Sequence, residues 1–452
     1  MAEQMKPSGI DWIKDIPSSW EINKVKYLAT EPGTLFLDGD WIESDVIEES
    51  GIRYLTTGNV GAGFYKEQGS GYISEKTFSE LHSLNVYPGD LMISRLNEPI
   101  GRSCIIPDTE SRYVVAVDNV ILRPNANYNK KFIMYGMNAD GYAEHANMIA
   151  RGATMSRISR SQLGQFWLAF PNIEEQQAIA DFLDKECAQI DSIAADLEKQ
   201  IALLQQYKKS LITETVTKGL DKSVPMKDSG VEWIGEIPVG WELSRIKYLT
   251  DNHHPYPIGD GDHGMIKADD YLTEGIPYIR VLNLTWGSGL NLENLVFISK
   301  EMNSLIKNSE LKPNDILIAK TGATIGKTAI VPDSLPVSNT TSHVGKITLA
   351  NVHDAKYFYY VMTSSIVQKQ IQDISAMQST RPELGIEGLK NLILTVPPFD
   401  IQQHIARFLD DHCAKIDRVL HEKGKQLSVI KQHKKSLIYE YVTGKKRVKE
   451  VR

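Results

Sequence analysis

The sequence has little cysteine, no long apolar run and no excess of positive charge. Its 452 residues include only Cys104, Cys187 and Cys413, which are too few for the disulfide framework of a small secreted domain. A membrane-spanning helix needs about 20 consecutive apolar residues, and the segment Met1–Lys14 lacks the apolar core of a signal peptide. We therefore expect no membrane span and a reducing, cytoplasmic setting.

The charge balance limits the partners that the chain can have. The formal net charge is −7, which argues against a protein that binds polyanions regardless of their sequence. A local basic face would still allow DNA binding, because binding depends on the charge at the contact surface. Hydrophobic and charged contents of 42% and 24% are those of a soluble globular protein.

No constellation for nucleophilic, acid–base or metal catalysis is present in the sequence pattern. Gly322–Thr328 resembles a phosphate-binding loop, but three residues separate its glycines where that loop has four. Val396–Phe399 resembles the catalytic loop of adenine-N6 methyltransferases, yet it begins with valine where that loop needs asparagine or aspartate. His253 and His254 lack a metal-ligand pattern. We expect a chain that binds rather than catalyses, with no metal or cofactor of its own.

The most informative positive feature is an internal repeat. Met5–Leu28 matches Met226–Leu249 at 13 of 24 positions, and Gln176–Asp191 matches Gln402–Asp417 at 11 of 16. A repeat of about 220 residues is far longer than a solenoid unit. Each copy is therefore long enough to bury its own core.

Each copy has a turn-rich body followed by a long helical segment. Turn signals such as Pro88-Gly89-Asp90 and Pro313-Asn314-Asp315 precede short apolar runs, as they do before strands. The pattern predicts an α+β fold, in which two mixed α/β domains are separated by a long antiparallel two-helix coiled coil with pseudo-two-fold symmetry. The predicted segments are domain 1–170, helix 171–220, domain 221–396, helix 397–446 and a basic tail 447–452.

Both helical segments carry apolar residues in alternating steps of four and three, the spacing of a coiled-coil seam. Each segment starts acidic and ends basic, which suits the helix dipole and favours antiparallel pairing. The alternative is that each helix packs only on its own domain, and Lys423 and Lys434 interrupt the seam. The predicted seam comprises Leu183, Cys187, Ile190, Ala194, Leu197, Ile201, Leu204, Leu211, Leu409, Cys413, Ile416, Leu420, Leu427, Ile430 and Leu437.

A seam from Leu183 to Leu211 would span about 43 Å at 1.5 Å per residue, slightly more than one turn of DNA. The helical segments align without a gap, whereas loops in the two bodies have changed length. A helical spacer of fixed length between two DNA-binding bodies that have diverged would produce this contrast.

Over essentially its whole length, the chain resembles the specificity subunit of type I restriction–modification systems. The residues that carry the resemblance are Ser8–Trp12 and Ile16–Trp20 with their second copies, Gly89–Ile93 with Ile100-Gly101, Asn314–Ile318 with Ile325-Gly326, and the helix opening Pro171–Asp184. The second copy departs mildly from that opening, with Ile401-Gln402-Gln403 in place of the acidic pair.

The resemblance implies a non-catalytic subunit whose two target-recognition domains each read one half of a two-part double-stranded DNA sequence. It implies that the helices set the spacing and dock two methyltransferase subunits, which restriction and translocase subunits join in the full complex. S-adenosylmethionine, ATP and Mg²⁺ are then expected on those partner subunits. The alternatives are a stand-alone sequence-specific DNA-binding regulator with the same fold, and a pure scaffold.

Loops at equivalent places in the two copies differ, as between Arg95–Glu98 and Lys320–Ala323. Different side chains offer different donors and acceptors to base edges, which predicts an asymmetric target rather than a palindrome. The alternative is that these loops are turns whose charges meet only solvent. The candidate DNA contacts are Arg95, Asn97, Arg102, Arg151, Thr154 and Arg157 in the first copy, and Arg280, Lys320, Thr324, Lys327, Thr380 and Arg381 in the second.

Overall fold

The computed structural model describes residues 4–69, 71–150, 156–287, 289–376 and 382–448. The chain forms two compact units, the first made of Met1–Glu198 with Lys425–Arg452 and the second of Lys199–Gly424. The sequence-based segments divide the chain at the ends of the long helices, whereas the compact units divide it within them. Each unit therefore combines one body with part of both long helices.

The first unit contains one four-stranded sheet, one three-stranded sheet and two small strand pairs. Its strands are β1 (Met5–Pro7), β2 (Asp15–Pro17), β3 (Glu21–Lys24), β4 (Leu35–Asp38), β5 (Ile52–Leu55), β6 (Tyr72–Ile73), β7 (Leu91–Ser94), β8 (Ser103–Ile105), β9 (Tyr113–Val115), β10 (Asn119–Arg123) and β11 (Trp167–Phe170). Its helices are α1 (Glu75–Glu80), α2 (Lys130–Met137), α3 (Asp140–Ile149), α4 (Arg160–Gly164) and the start of α5 (Ile173–Lys218).

The second unit repeats this series of elements with one additional hairpin. Its strands are β12 (Met226–Asp228), β13 (Glu236–Pro238), β14 (Glu242–Arg245), β15 (Ile258–Asp260), β16 (Ile276–Ile279), β17 (Leu284–Thr285), β18 (Gly289–Leu290), β19 (Val296–Ile298), β20 (Ile316–Ala319), β21 (Thr328–Ile330), β22 (Asn339–Thr340), β23 (Val344–Ile347) and β24 (Ile393–Val396). Its helices are α6 (Lys300–Leu305), α7 (Ala355–Thr363), α8 (Ser365–Ala376), α9 (Ile386–Asn391) and the start of α10 (Phe399–Val442).

Sheet topology shows that the two bodies are the same fold. The four-stranded sheet has the order β4-β10-β7-β8 in the first unit and β15-β23-β20-β21 in the second. The three-stranded sheets, β6-β5-β9 and β19-β16-β22, combine one antiparallel and one parallel pairing in both units. The predicted α+β class and internal repeat are confirmed.

The predicted turn signals lie directly before the most buried strands. Gly89 and Asn314 adopt positive φ values of 79° and 69°, which asparagine and glycine tolerate better than other residues. The strands that follow, β7 and β20, are buried at all four positions. The apolar side chains of each strand alternate between two hydrophobic clusters, so both faces of the strand are covered.

Within each unit the two long helices run antiparallel. In the first unit the rings of Phe182 and Tyr441 lie 4.5 Å apart, and Lys434 Nζ lies 2.6 Å from Asp191 Oδ1. Contacts move down one helix as they move up the other, as antiparallel pairing requires. In the second unit Lys208 Nζ lies 2.6 Å from Asp417 Oδ1, which is the same contact with the copies exchanged.

Every predicted seam residue is buried or partly buried, and Leu183 and Leu409 are fully so. The lysines that interrupt the seam have polar partners within their own unit. Lys434 pairs with Asp191, and Lys423 donates to Gln200 Oε1 at 2.6 Å. These partners explain how a seam with lysine at inward positions can form.

The C-terminal ends of the long helices close the two bodies. Gly219 and Gly444 follow α5 and α10 with φ near +70°, a conformation that glycine commonly supplies at the C-terminal end of a helix. Gly219 packs on Trp241 of the second unit, whereas Gly444 packs against Pro17 and Trp20 of the first. None of the helices in the described part of the chain combines the length and apolar character needed to cross a membrane.

Candidate nucleic-acid interface

Two equivalent loops follow the central strands of the four-stranded sheets. Loop L1 (residues 95–102) connects β7 to β8, and loop L2 (residues 320–327) connects β20 to β21. Each loop also pairs with the segment that precedes a short helix: Leu96 bridges Arg157, and Thr321 bridges Glu383. The fold therefore brings together two segments about 60 residues apart in sequence at the same place in both units.

Arg95, a candidate DNA contact, is an internal residue of L1 with a side chain only 6% exposed. Its guanidinium lies 3.0 Å from Asp38 Oδ1 and 3.6 Å from Asp118 Oδ1, and it donates to the carbonyl oxygen of Ile158 at 3.0 Å. A buried cation needs such partners because the interior cannot replace its hydration. The guanidinium therefore faces the protein and holds L1 to the sheet.

Lys320 has the same place and the same kind of partners in L2. Its side chain is 3% exposed, its Nζ forms a close ion pair with Asp260, and Glu383 Oε1 lies 3.8 Å away. The direct DNA contacts expected of Arg95 and Lys320 do not fit this burial. Both residues instead position the loops that follow them.

The aspartates that receive these cations end equivalent strands, β4 and β15, and belong to a repeated Asp-Gly-Asp sequence. A Cβ atom on Gly39 would lie 2.2 Å from the carbonyl oxygen of Val115, and one on Gly261 would lie 2.0 Å from that of Thr340. Only glycine fits there. The aspartates Asp38 and Asp260 are held against the sheet by this close approach, and the sequence interpretation had missed them.

Arg102 is a half-buried organiser of L1. Its guanidinium donates to the carbonyl oxygens of Val60, Leu96, Asn97 and Thr57 at 2.8, 3.0, 2.9 and 3.1 Å. Burial lowers the pKa of this guanidinium. Because most of its N–H donors bind backbone carbonyl oxygens, Arg102 mainly fixes the conformation of L1 and does not extend from the loop.

Other candidates remain accessible. Asn97 is exposed at the tip of L1, with a φ of 59°, and Arg157 is half exposed beside Asp118. In L2, Thr324 donates to the carbonyl oxygen of Thr321, and Lys327 is partly exposed.

Arg280 lies outside both loops, at the end of β16. Its guanidinium donates to the carbonyl oxygen of Asn294 at 3.1 Å and lies over the ring of Tyr271. The remaining candidates, Arg151, Thr154, Thr380 and Arg381, lie outside the described residues.

A polar cavity of about 400 Å³ opens beside L2. Lys320 and Asp260 line it together with Glu383, His343 and His263. Glu383, His343 and His263 were not among the predicted site residues. His343 and Glu383 are distant from L2 in sequence, and the register of β20 with β23 brings His343 to this loop. The described residues contain no cluster of three or more histidine, cysteine, aspartate or glutamate side chains suited to a metal ion.

A second surface lies where α2 and α7 meet the long helices, and it is chemically the same in both units. Tyr135 Oη donates to Asp184 at 2.8 Å, and Lys131 forms an ion pair with the same carboxylate. In the second unit Tyr360 donates to Asp410 at 2.8 Å, with Lys356 as the ion-pair partner.

Each of these sites includes a seam cysteine with a protonated thiol. Burial raises the pKa of Cys187, and burial raises that of Cys413 to about 11.

In the second unit the surface borders a cavity of about 1070 Å³, which is also lined by Trp286, Tyr359 and Leu420. A mixed apolar and charged groove of this kind suits a protein partner.

Comparison with known proteins places the chain in a family. The model of the type I restriction modification DNA specificity domain matches residues 20–203 and 258–428, which is more than half of the chain. The chain is 26% identical over 321 residues to the type I restriction enzyme EcoBI specificity subunit of Escherichia coli, covering 70% of this chain and 66% of that protein, slightly under two thirds of its length.

Two further similarities extend over nearly the full length. The type I restriction enzyme MjaIX specificity subunit of Methanocaldococcus jannaschii is 23% identical, with 97% of this chain and 96% of that protein covered. A chain from a structural study of complex assembly and conformational transition of the type I R-M system matches with a TM-score of 0.70 and 13% identity, over 94% of this chain and 98% of that chain. The latter supports the fold.

The family match falls on both copies of the repeat, and the relatives are named specificity subunits. The resemblance and the expectation of a non-catalytic subunit are thereby confirmed. The chain belongs to the type I restriction–modification DNA specificity family.

Proposed function

We propose that each unit reads one half of an asymmetric two-part DNA sequence for a type I restriction–modification enzyme. The observation that carries this proposal is the contrast between a shared sheet frame and different loops L1 and L2 at the same place in it. Two readers of the same sequence would not need different side chains there. We therefore also propose a cytoplasmic location, where the chain can meet the DNA of the cell.

We also propose that the long helices dock two methyltransferase subunits, one on each unit. The repeated tyrosine–aspartate–lysine sites support this idea, because two like partners require two like surfaces. Restriction and translocase subunits would join these partners in the full enzyme. S-adenosylmethionine, ATP and Mg²⁺ would then be bound by the partner subunits.

The test is to co-purify the chain with its methyltransferase subunit and to sequence the methylated bases of host DNA. We expect a complex with two methyltransferase subunits per chain and a discontinuous, non-palindromic motif. A single palindromic motif would contradict the two-reader proposal. Tight, specific binding by the chain alone, without a methyltransferase complex, would favour a stand-alone regulator.

A further inference from the structure

The two units carry opposite charges at one pair of equivalent positions. Asp118 precedes β10 and His343 precedes β23, and the carbonyl oxygen of each accepts the backbone N–H of the buried loop cation, Arg95 or Lys320, at 2.7 and 2.8 Å. Arg157 and Glu383 are equivalent in turn, because each bridges the second residue of its loop. An arginine in one unit therefore stands where the other has a glutamate.

In the first unit the Arg157 side chain forms an ion pair with Asp118 and is otherwise exposed. Its Nη2 lies 2.6 Å from Asp118 Oδ1, and the side chain is 51% exposed. Asp118 shares its carboxylate with Arg95, and this ion pair orients the Arg157 guanidinium, whose other N–H groups have no partner among the described residues. An oriented guanidinium with exposed donors can bind both acceptors of a guanine in the major groove.

In the second unit Glu383 has accepting capacity that its neighbours do not fill. Lys320 gives its close contact to Asp260 and leaves Glu383 Oε1 3.8 Å away, beyond hydrogen-bond distance. No described residue donates a hydrogen bond to this carboxylate, which is 45% exposed at the polar cavity beside L2. A carboxylate at such a position accepts from an exocyclic amino group, which cytosine presents in the major groove.

We propose that Arg157 and Glu383 are specificity-determining residues, Arg157 for a guanine in one half of the DNA target and Glu383 for a cytosine in the other. The inference rests on the proposed function, which it deepens by naming the chemistry of one base in each half. Phosphate contact does not account for Glu383, since a carboxylate is repelled by the DNA backbone. The shared position explains why opposite charges are tolerated: each copy presents one side chain there to a different base.

The experiment uses the complex of the full chain with its methyltransferase subunit and compares Arg157→Gln and Glu383→Gln with the wild type. Glutamine keeps much of the side-chain length but pairs best with adenine. We expect each variant to change one base in one half of the methylated motif toward adenine and to leave the other half unchanged. Preference for the original base should fall by about 5- to 150-fold, which corresponds to roughly 1–3 kcal/mol.

Matched controls are Lys76→Gln in the first unit and Glu387→Gln in the second, which make the same charge changes at highly exposed helix positions. Both should leave the motif and the methylation rate as in the wild type. An unchanged motif in both test variants would overturn the inference. So would an even loss of methylation at all sequences, because that result would assign the residues to phosphate contact or to folding.

Failure of the proposed function has a different signature. If the wild-type complex methylates no two-part motif, the two-reader proposal fails, and the inference fails with it. If the wild-type motif has two parts but both variants alter the same half, the proposed function stands and the assignment of one residue to each half is wrong.

Discussion

The surface on the long helices and the surface at the loops differ in how the two copies have diverged. At the helices, Tyr135, Asp184 and Lys131 are matched one for one by Tyr360, Asp410 and Lys356. At the loops, even the sign of the charge changes, from Arg157 to Glu383. Under the proposed function, the similar chemistry at the helices serves two like partner subunits, and the divergent loops serve two different DNA half-sites.

The largest expected loss of stability comes from breaking the buried ion pairs that hold L1 and L2, and it should differ between the two loops. Asp260→Ala removes the close partner of an almost fully buried lysine and should destabilise the protein by about 3–5 kcal/mol. Asp38→Ala should cost less, because Arg95 keeps Asp118 and the carbonyl oxygen of Ile158. Urea unfolding of both purified variants measures the difference; equal losses would contradict the unequal roles of the two aspartates.

Equivalent substitutions at the seam positions of the two helices should destabilise the protein equally. Leu183→Ala and Leu409→Ala each leave a cavity at a fully buried position, and each should lower the free energy of unfolding by about 2–5 kcal/mol. Matched unfolding curves should place the two losses close together. A large difference would show that the helix pairs are less alike than their contacts indicate.

The two helix terminators offer a graded test. Alanine at either glycine is strained by the positive φ, but Gly444→Ala would also place Cβ 2.4 Å from Pro17 Cδ. At Gly219 the nearest atom is Trp241 Cζ2, at 3.2 Å. We expect Gly444→Ala to lower the melting temperature more than Gly219→Ala, with an overpacking cost of about 1–3 kcal/mol. The reverse order would contradict the closer packing at Gly444.

The ion pairs between the long helices should contribute little. Lys434→Ala and Lys208→Ala remove pairs with Asp191 and Asp417, and partly exposed pairs of this kind are worth about 0.2–1 kcal/mol. Lys208 is the more buried lysine, so its loss should be the larger one. Thermal unfolding in low and high salt would test this order, and Met in place of each lysine would separate charge from packing.

The smallest expected effect concerns the thiols. Burial raises the pKa of Cys104 to about 12 and that of Cys413 to about 11, so both stay protonated at neutral pH and react poorly with alkylating reagents. Iodoacetamide at pH 8 should leave the three cysteines of the native protein unmodified and label all three after denaturation. Rapid native labelling of Cys413 but not of Cys187 would break the equivalence of the helices.

The repetitive parts of the fold were the easier ones to predict from the sequence. The helices expected at 171–220 and 397–446 are Ile173–Lys218 and Phe399–Val442. These parts were predictable because helical periodicity is a local pattern. The loop residues were harder, since an exposed arginine and a buried one look alike in sequence. Arg95 and Lys320 were therefore expected to meet DNA, although their side chains are buried.

The sequence by itself determined the duplication, the antiparallel helix pair and the family, because each depends on patterns that repeat along the chain. Only the tertiary structure decided which charged side chains face solvent. Sheet register places Asp38 beside Arg95 and His343 beside L2, and a bridge brings Glu383 to the same loop. These neighbours are about 20 to 60 residues apart in sequence, so their contacts exist only once the sheets have formed.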